Sequence, residues 1–120
     1  MQRVVPGLHV RDFAESCKFY VDTLGFEVDW EWRHEPGLPV FAQLSCQGLS
    51  IYLSENEGDG VPGSLVYLYV PDVDAWYERL TGMGIGLEAP QDQPWGNREI
   101  TFRDPDYNRF CVATPIVGAS

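Results

Sequence analysis

The sequence predicts an α+β fold built from two βαβββ modules, and three observations carry that prediction. Two helical segments each follow a short apolar strand, period-two alternation follows or precedes them, and the pattern recurs at half the chain length. Val10-Arg11-Asp12 before the first helical segment matches Val70-Pro71-Asp72 before the second, sixty positions on, while Gly25-Phe26 matches Gly84-Ile85 at fifty-nine. The 120 residues suit one domain, 1–120, with a first module of about 1–57 and a second of about 62–116. A chain of this size buries roughly two thirds of its unfolded surface.

Arg3 to Val10 reads as a strand interrupted by Pro6 and Gly7. Asp12 is the expected N-cap of a helix, with Glu15 completing an Asp-x-x-Glu box, and Phe13, Cys17, Tyr20 and Leu24 share its core face until Gly25 ends it. Phe26, Val28, Trp30 and Trp32 alternate with Glu27, Asp29 and Glu31, which predicts a half-buried strand with both tryptophans on one face. His34 to Leu38 is a turn, Val40 to Ser45 a strand, Gly48 a turn and Leu49 to Ser54 a strand. Glu55 to Gly63 is too polar and glycine-rich for an element and reads as a linker.

In the second half Leu65, Tyr67 and Tyr69 alternate with Val66, Leu68 and Val70, so one apolar face can cover a helix and the other can line a cavity. Asp72 is the expected cap of a helix whose apolar face is Val73, Trp76, Tyr77 and Leu80. Pro94 and Gly96 hold Trp95 on a loop, available for stacking. A β-hairpin follows from Arg98, turned by Asp104, Pro105, Asp106 and Asn108 before Phe110, Cys111 and Val112.

Eighteen acidic against eight basic residues give a net charge of −10, and Lys18 is the only lysine. There is no basic stripe to neutralise phosphates, which disfavours nucleic acid as a partner, and the acidity fits either steering of a cationic ligand or a solvated surface that aids solubility. No apolar run reaches the roughly 20 residues that span a bilayer, which excludes a membrane partner and predicts a soluble cytoplasmic protein. Cys17, Cys46 and Cys111 lie in apolar-periodic segments and read as reduced core thiols.

Three segments, Pro94-Trp95-Gly96, Arg98-Glu99 and Arg103-Asp104-Pro105-Asp106-Tyr107-Asn108, resemble the C-terminal signature of the glyoxalase/bleomycin-resistance/dioxygenase (vicinal oxygen chelate) superfamily, in its bleomycin-resistance branch. The likeness runs through most of the chain. It implies a cupped mixed sheet with the helices outside and a cleft inside. Enzymes of the superfamily hold a divalent metal there, and the ligand positions carry over to Val5, Leu65 and Cys111, with the fourth near Tyr52. Most of these offer nothing to a hard metal, so no metal, cofactor or catalytic residue is expected. His9 shares strand parity with Val5, and His34 sits in a polar turn.

The bleomycin-resistance branch instead implies a homodimer that sequesters its drug between aromatic rings. Trp95 and Trp30 take the stacking positions, and Asp29, Glu31 and Glu99 are acidic candidates for the drug's cationic tail. The expected ligand-binding set is completed in the first module by Trp32, Phe41 and Tyr52. In the second it is completed by Tyr67, Tyr69, Gly96, Phe102 and Cys111. Pro6 matches a proline that lets the N-terminal strand cross to a partner subunit. Asn97 is an added residue relative to some resistance proteins, and Tyr107 replaces the usual glycine of the turn. The function expected is metal-free sequestration of a cationic, flat-ringed antibiotic. The alternatives are a metal-dependent glyoxalase- or dioxygenase-like enzyme, and a binding module for another hydrophobic metabolite or antibiotic.

Overall fold

A computed structural model describes residues 4–59 and 63–116. The expectations placed on Arg3 and on 60–62 lie outside the described residues. The chain forms two compact units, one of residues up to Ser64 together with Asp104–Asn108, the other of Leu65–Arg103 with the residues from Arg109 onward. Each contains a four-stranded mixed sheet and one helical segment.

The first unit runs β1 (Gly7–His9), α1 (Phe13–Cys17) continuing into a π-helical segment (Lys18–Thr23), β2 (Glu27–Arg33), β3 (Val40–Cys46) and β4 (Leu49–Ser54). The second runs β5 (Leu65–Tyr69), α2 (Val73–Gly82), β6 (Gln91–Asp92), β7 (Asn97–Arg103) and β8 (Arg109–Pro115). Sheet orders are β1-β4-β3-β2 and β5-β8-β7-β6, with the first strand parallel to the last in each. The predicted repeat of βαβββ topology is therefore present.

The repeat extends to the helix ends. Asp12 accepts from Glu15 N at 3.2 Å and Asp72 from Ala75 N at 3.2 Å. The first helical N–H of each helix finds a side chain at the end of its unit's last strand: Phe13 N donates to Glu55 Oε2 at 2.8 Å, and Val73 N to Thr114 Oγ1 at 2.8 Å. At the far ends Gly25 and Gly84 take positive φ, and the next residue closes the helix, Phe26 N onto Tyr20 O and Ile85 N onto Leu80 O. The first closure spans one residue more than the second. A π-turn accommodates one extra residue, which accounts for the slip in the repeat from sixty to fifty-nine.

Alternation predicts β5 correctly: Val66 and Leu68 are buried, while Leu65, Tyr67 and Tyr69 are exposed. It fails on β2. The pairing shifts between Val28, opposite Leu44, and Trp30, opposite Gln43, so one residue is extra and the two tryptophans leave Val28's face. All of β2 is exposed rather than half-buried, and Phe26 alone of that series enters the core. On α1, Ser16 is buried and Cys17 only half-buried, which corrects the expectation of a core thiol there. The first strand is three residues rather than eight.

Glu55 corrects the linker reading, because its carboxylate also accepts from Val40 N at 2.9 Å and so fastens β3 as well as α1. The Asp104–Asn108 turn is likewise structural. Asp104 accepts from the backbone N–H groups of Asp106 and Asn108, at 2.9 and 2.7 Å, and from Tyr20 OH at 2.6 Å and Asn108 Nδ2 at 2.9 Å. Asp106 accepts from Arg11 Nε at 2.8 Å and Ser16 Oγ at 3.2 Å. Burial, and then the Asp104 carboxylate, push the Tyr20 hydroxyl far above its ordinary value, so it remains a donor. Tyr107 adopts φ 65, which explains why glycine suits this position.

Candidate functional site

The open face of the second sheet carries a candidate site. A cavity of about 300 Å³ is lined by Leu65 and Tyr67 of β5, Gln93 and Trp95 of the β6–β7 loop, Glu99 and Thr101 of β7, and Arg109 and Cys111 of β8. Beside it a more open recess of about 390 Å³ is lined by Tyr67, Tyr69, Trp95 and Asn97. Strand parity makes this face: Thr101 stands opposite Cys111 and Tyr67 beside Cys111, so their side chains emerge together.

Trp95 is 62 % exposed, yet it is held. Its loop closes through Gly96 N to Gln93 O at 3.0 Å and Gln93 N to Asn97 O at 2.7 Å, with Gly96 at φ 98 where a side chain would be strained. The indole Nε1 donates to Glu99 Oε2 at 2.8 Å. Asn97 Nδ2 donates to the same oxygen at 3.1 Å and also to Tyr69 OH at 3.3 Å. Asn97 thus ties the loop, the carboxylate and the tyrosine together.

Glu99 is 6 % exposed and stands at the centre of this network. Burial alone would push its carboxyl up, but hydrogen bonds from Trp95, Cys111 and Asn97 oppose that and hold it below its ordinary value, so it is ionised at neutral pH. Burial, and then the Glu99 carboxylate, push the Cys111 thiol up to about 12. Cys111 therefore stays an S–H donor and is no nucleophile at neutral pH.

Of the predicted site residues, Tyr67, Tyr69, Trp95, Gly96 and Cys111 gather here. Phe102 does not. It stands opposite Phe110, rings stacked at 5.5 Å, on the buried face with Ile100 and Val112. Its place on the open face is taken by Thr101, which shares parity with Glu99. Sequence reasoning named Glu99 only as a loose acidic candidate and passed over Gln93, Thr101 and Arg109. A glutamate on the open parity of an otherwise apolar strand, four residues after a tryptophan, is the signal that marks it.

The remaining predicted residues form an aromatic surface on the first sheet. Trp30, Phe41 and Tyr52 meet with ring centroids 5.6, 5.9 and 5.0 Å apart, and Trp32 stands opposite Phe41 in register with its ring 6.0 Å from His34. Asp29 accepts from Gln43 Nε2 and Ser45 Oγ, both at 2.9 Å. Of the positions implied for a metal, Leu65 supplies no donor, and the Cys111 thiol alone makes no site. Among the described residues no three His, Cys, Asp or Glu side chains converge into a metal-holding group. Within those same residues no helix is long and apolar enough to cross a membrane.

Comparison with known proteins agrees with this architecture. The family described as "Glyoxalase superfamily protein" matches residues 1–116. YraH of Bacillus subtilis, an uncharacterised protein, is 33 % identical over 84 % of this chain and 88 % of its own. The bleomycin resistance protein of Geobacillus stearothermophilus is 29 % identical over 90 % of this chain and 92 % of its own. The crystal structure of TnmS3, an antibiotic binding protein from Streptomyces sp. CB03234, superposes with a TM-score of 0.77 at 27 % identity, covering 96 % of this chain and 97 % of that one. With the paired βαβββ topology and the Pro94–Gly96 and Asp104–Asn108 signatures in place, the chain belongs to the glyoxalase superfamily, in its bleomycin-resistance-like branch.

Proposed function

We propose that the protein binds a flat-ringed, cationic antibiotic of the bleomycin type without transforming it, sequestering it in the cytoplasm as a homodimer. The observation that carries this reading is Trp95, an exposed indole whose N–H is fixed by Glu99 beside a cavity of about 300 Å³. A ring anchored by its edge presents its face with little rotamer entropy left to lose, which favours stacking. Tyr67 and Tyr69, with ring centroids 6.2 Å apart, extend the aromatic surface. The Cys111 thiol is held protonated, which suits holding a ligand over attacking it through that sulfur.

Trp30, Trp32, Phe41 and Tyr52 are assigned to ligand contact on the same chemical grounds. A homodimer is supported by exposed Trp32, Leu65 and Tyr69 on two small four-stranded sheets. The test is a panel of flat-ringed antibiotics read by tryptophan fluorescence, with bleomycin at its head, alongside sedimentation at micromolar concentration. Saturable quenching by bleomycin and twice the chain mass of 13.6 kDa are expected. A monomer would remove the dimer, and a panel with no binder would remove the function.

A further inference from the structure

We infer that Glu99 is the recognition point for a positive charge carried on, or directly attached to, the ring that stacks on Trp95. This rests on the binding function proposed above and deepens it: among flat-ringed cationic ligands, those whose charge lies at the ring itself are held more tightly than those whose charge lies only on a distant tail. Three neutral donors, Trp95 Nε1, Asn97 Nδ2 and the Cys111 thiol, satisfy the carboxylate in part. An ionised carboxylate offers about four acceptor sites, so one remains for a ligand. Neutral donors soften the cost of burying the charge but do not cancel it, and among the described residues Glu99 forms no ion pair.

The rings around the carboxylate point the same way. Trp95 and Tyr67 line the cavity with Glu99, and aromatic faces attract cations through their quadrupoles. A ring stacked on Trp95 therefore lies beside the acid that holds the indole edge. Arg109 also lines the cavity and its charge reaches Cys111, but its side chain is exposed and it forms no ion pair with Glu99.

The test uses two probes of the same outline: aminoacridine, a ring cation at neutral pH, and aminoanthracene, which keeps the amino group and is uncharged. Affinities are measured for the native chain and for Glu99→Gln. The native protein should bind the cation about ten- to a hundredfold more tightly, the scale of a charged hydrogen bond. Glu99→Gln should shrink that ratio to near one, because it weakens aminoacridine binding far more than aminoanthracene binding. The net charge of −10 attracts any cation at long range, so the ratio is followed against salt. A preference set at the cavity persists when the Debye length is cut to about 3 Å at 1 M salt, and this control stands even if the variant does not fold. Equal affinity of the two probes for the native protein, a preference abolished by salt, or one unchanged in folded Glu99→Gln would overturn the inference and leave the stacking function intact. Binding of neither probe would overturn both.

Discussion

Asp104 in the first unit and Glu99 in the second are carboxylates buried to nearly the same degree, 5 % and 6 % exposed. Around Asp104 two backbone N–H groups, a tyrosine hydroxyl and an amide leave no side of the carboxylate open. Glu99 receives three donors but borders a cavity of about 300 Å³ walled by aromatic rings. Burial of an acid thus marks no function by itself. What separates the two is whether the donors close around the charge or leave a side facing an opening.

Removing the closed one should have the larger effect. Asp104→Ala removes the acceptor shared by the Tyr20 hydroxyl, the Asn108 amide and two backbone N–H groups, and we expect a loss of about 3 to 5 kcal/mol in urea unfolding. A loss under about 1 kcal/mol would mean that the turn is not the fastening it is taken to be.

The second contrast is in pH. Glu99's carboxyl is held below 4.5 in the folded chain, so it contributes stability at pH above that value which is lost as pH falls through the lowered pKa. The native protein should therefore lose unfolding midpoint on acidification below 4.5 more steeply than Glu99→Gln does. Parallel pH curves for the two would contradict the network described around Trp95.

The smallest effect concerns the turn that carries Asp104. Tyr107 holds a positive φ that glycine adopts without strain, so Tyr107→Gly should raise stability by about 0.5 kcal/mol after the entropy cost of glycine is counted. A loss would show that the tyrosine ring's own contacts outweigh the backbone strain.

Particular residues show how far the sequence could be read. The paired modules were legible because the helix caps, the closing glycines and the alternation of β5 depend on local chemistry and repeat along the chain. β2 was not, since a single extra residue reverses strand parity and nothing in the run from Phe26 to Trp32 announces it. Phe102 was misplaced for the opposite reason: its aromatic character suggested a ligand contact, whereas its parity with Ile100 already assigned it to the core. Glu55 read as the start of a polar linker, and Glu99 as one of three acidic candidates for a cationic tail. Their roles depend on partners up to 42 positions away in one case and on a neighbouring strand's thiol in the other, and composition carries neither.

The central claim is that Trp95, pinned by Glu99, is the stacking surface for the ligand, and calorimetric titration of bleomycin into the native protein and Trp95→Ala tests it most directly. Losing the ring's stacking and buried area should weaken binding by about 1 to 3 kcal/mol, roughly five- to two-hundredfold. Unfolding of the same variant should cost only about 1 to 2 kcal/mol, the hydrogen bond to Glu99, because the ring itself faces solvent. Bleomycin affinity unchanged in Trp95→Ala, or absent in the native protein, would contradict the account.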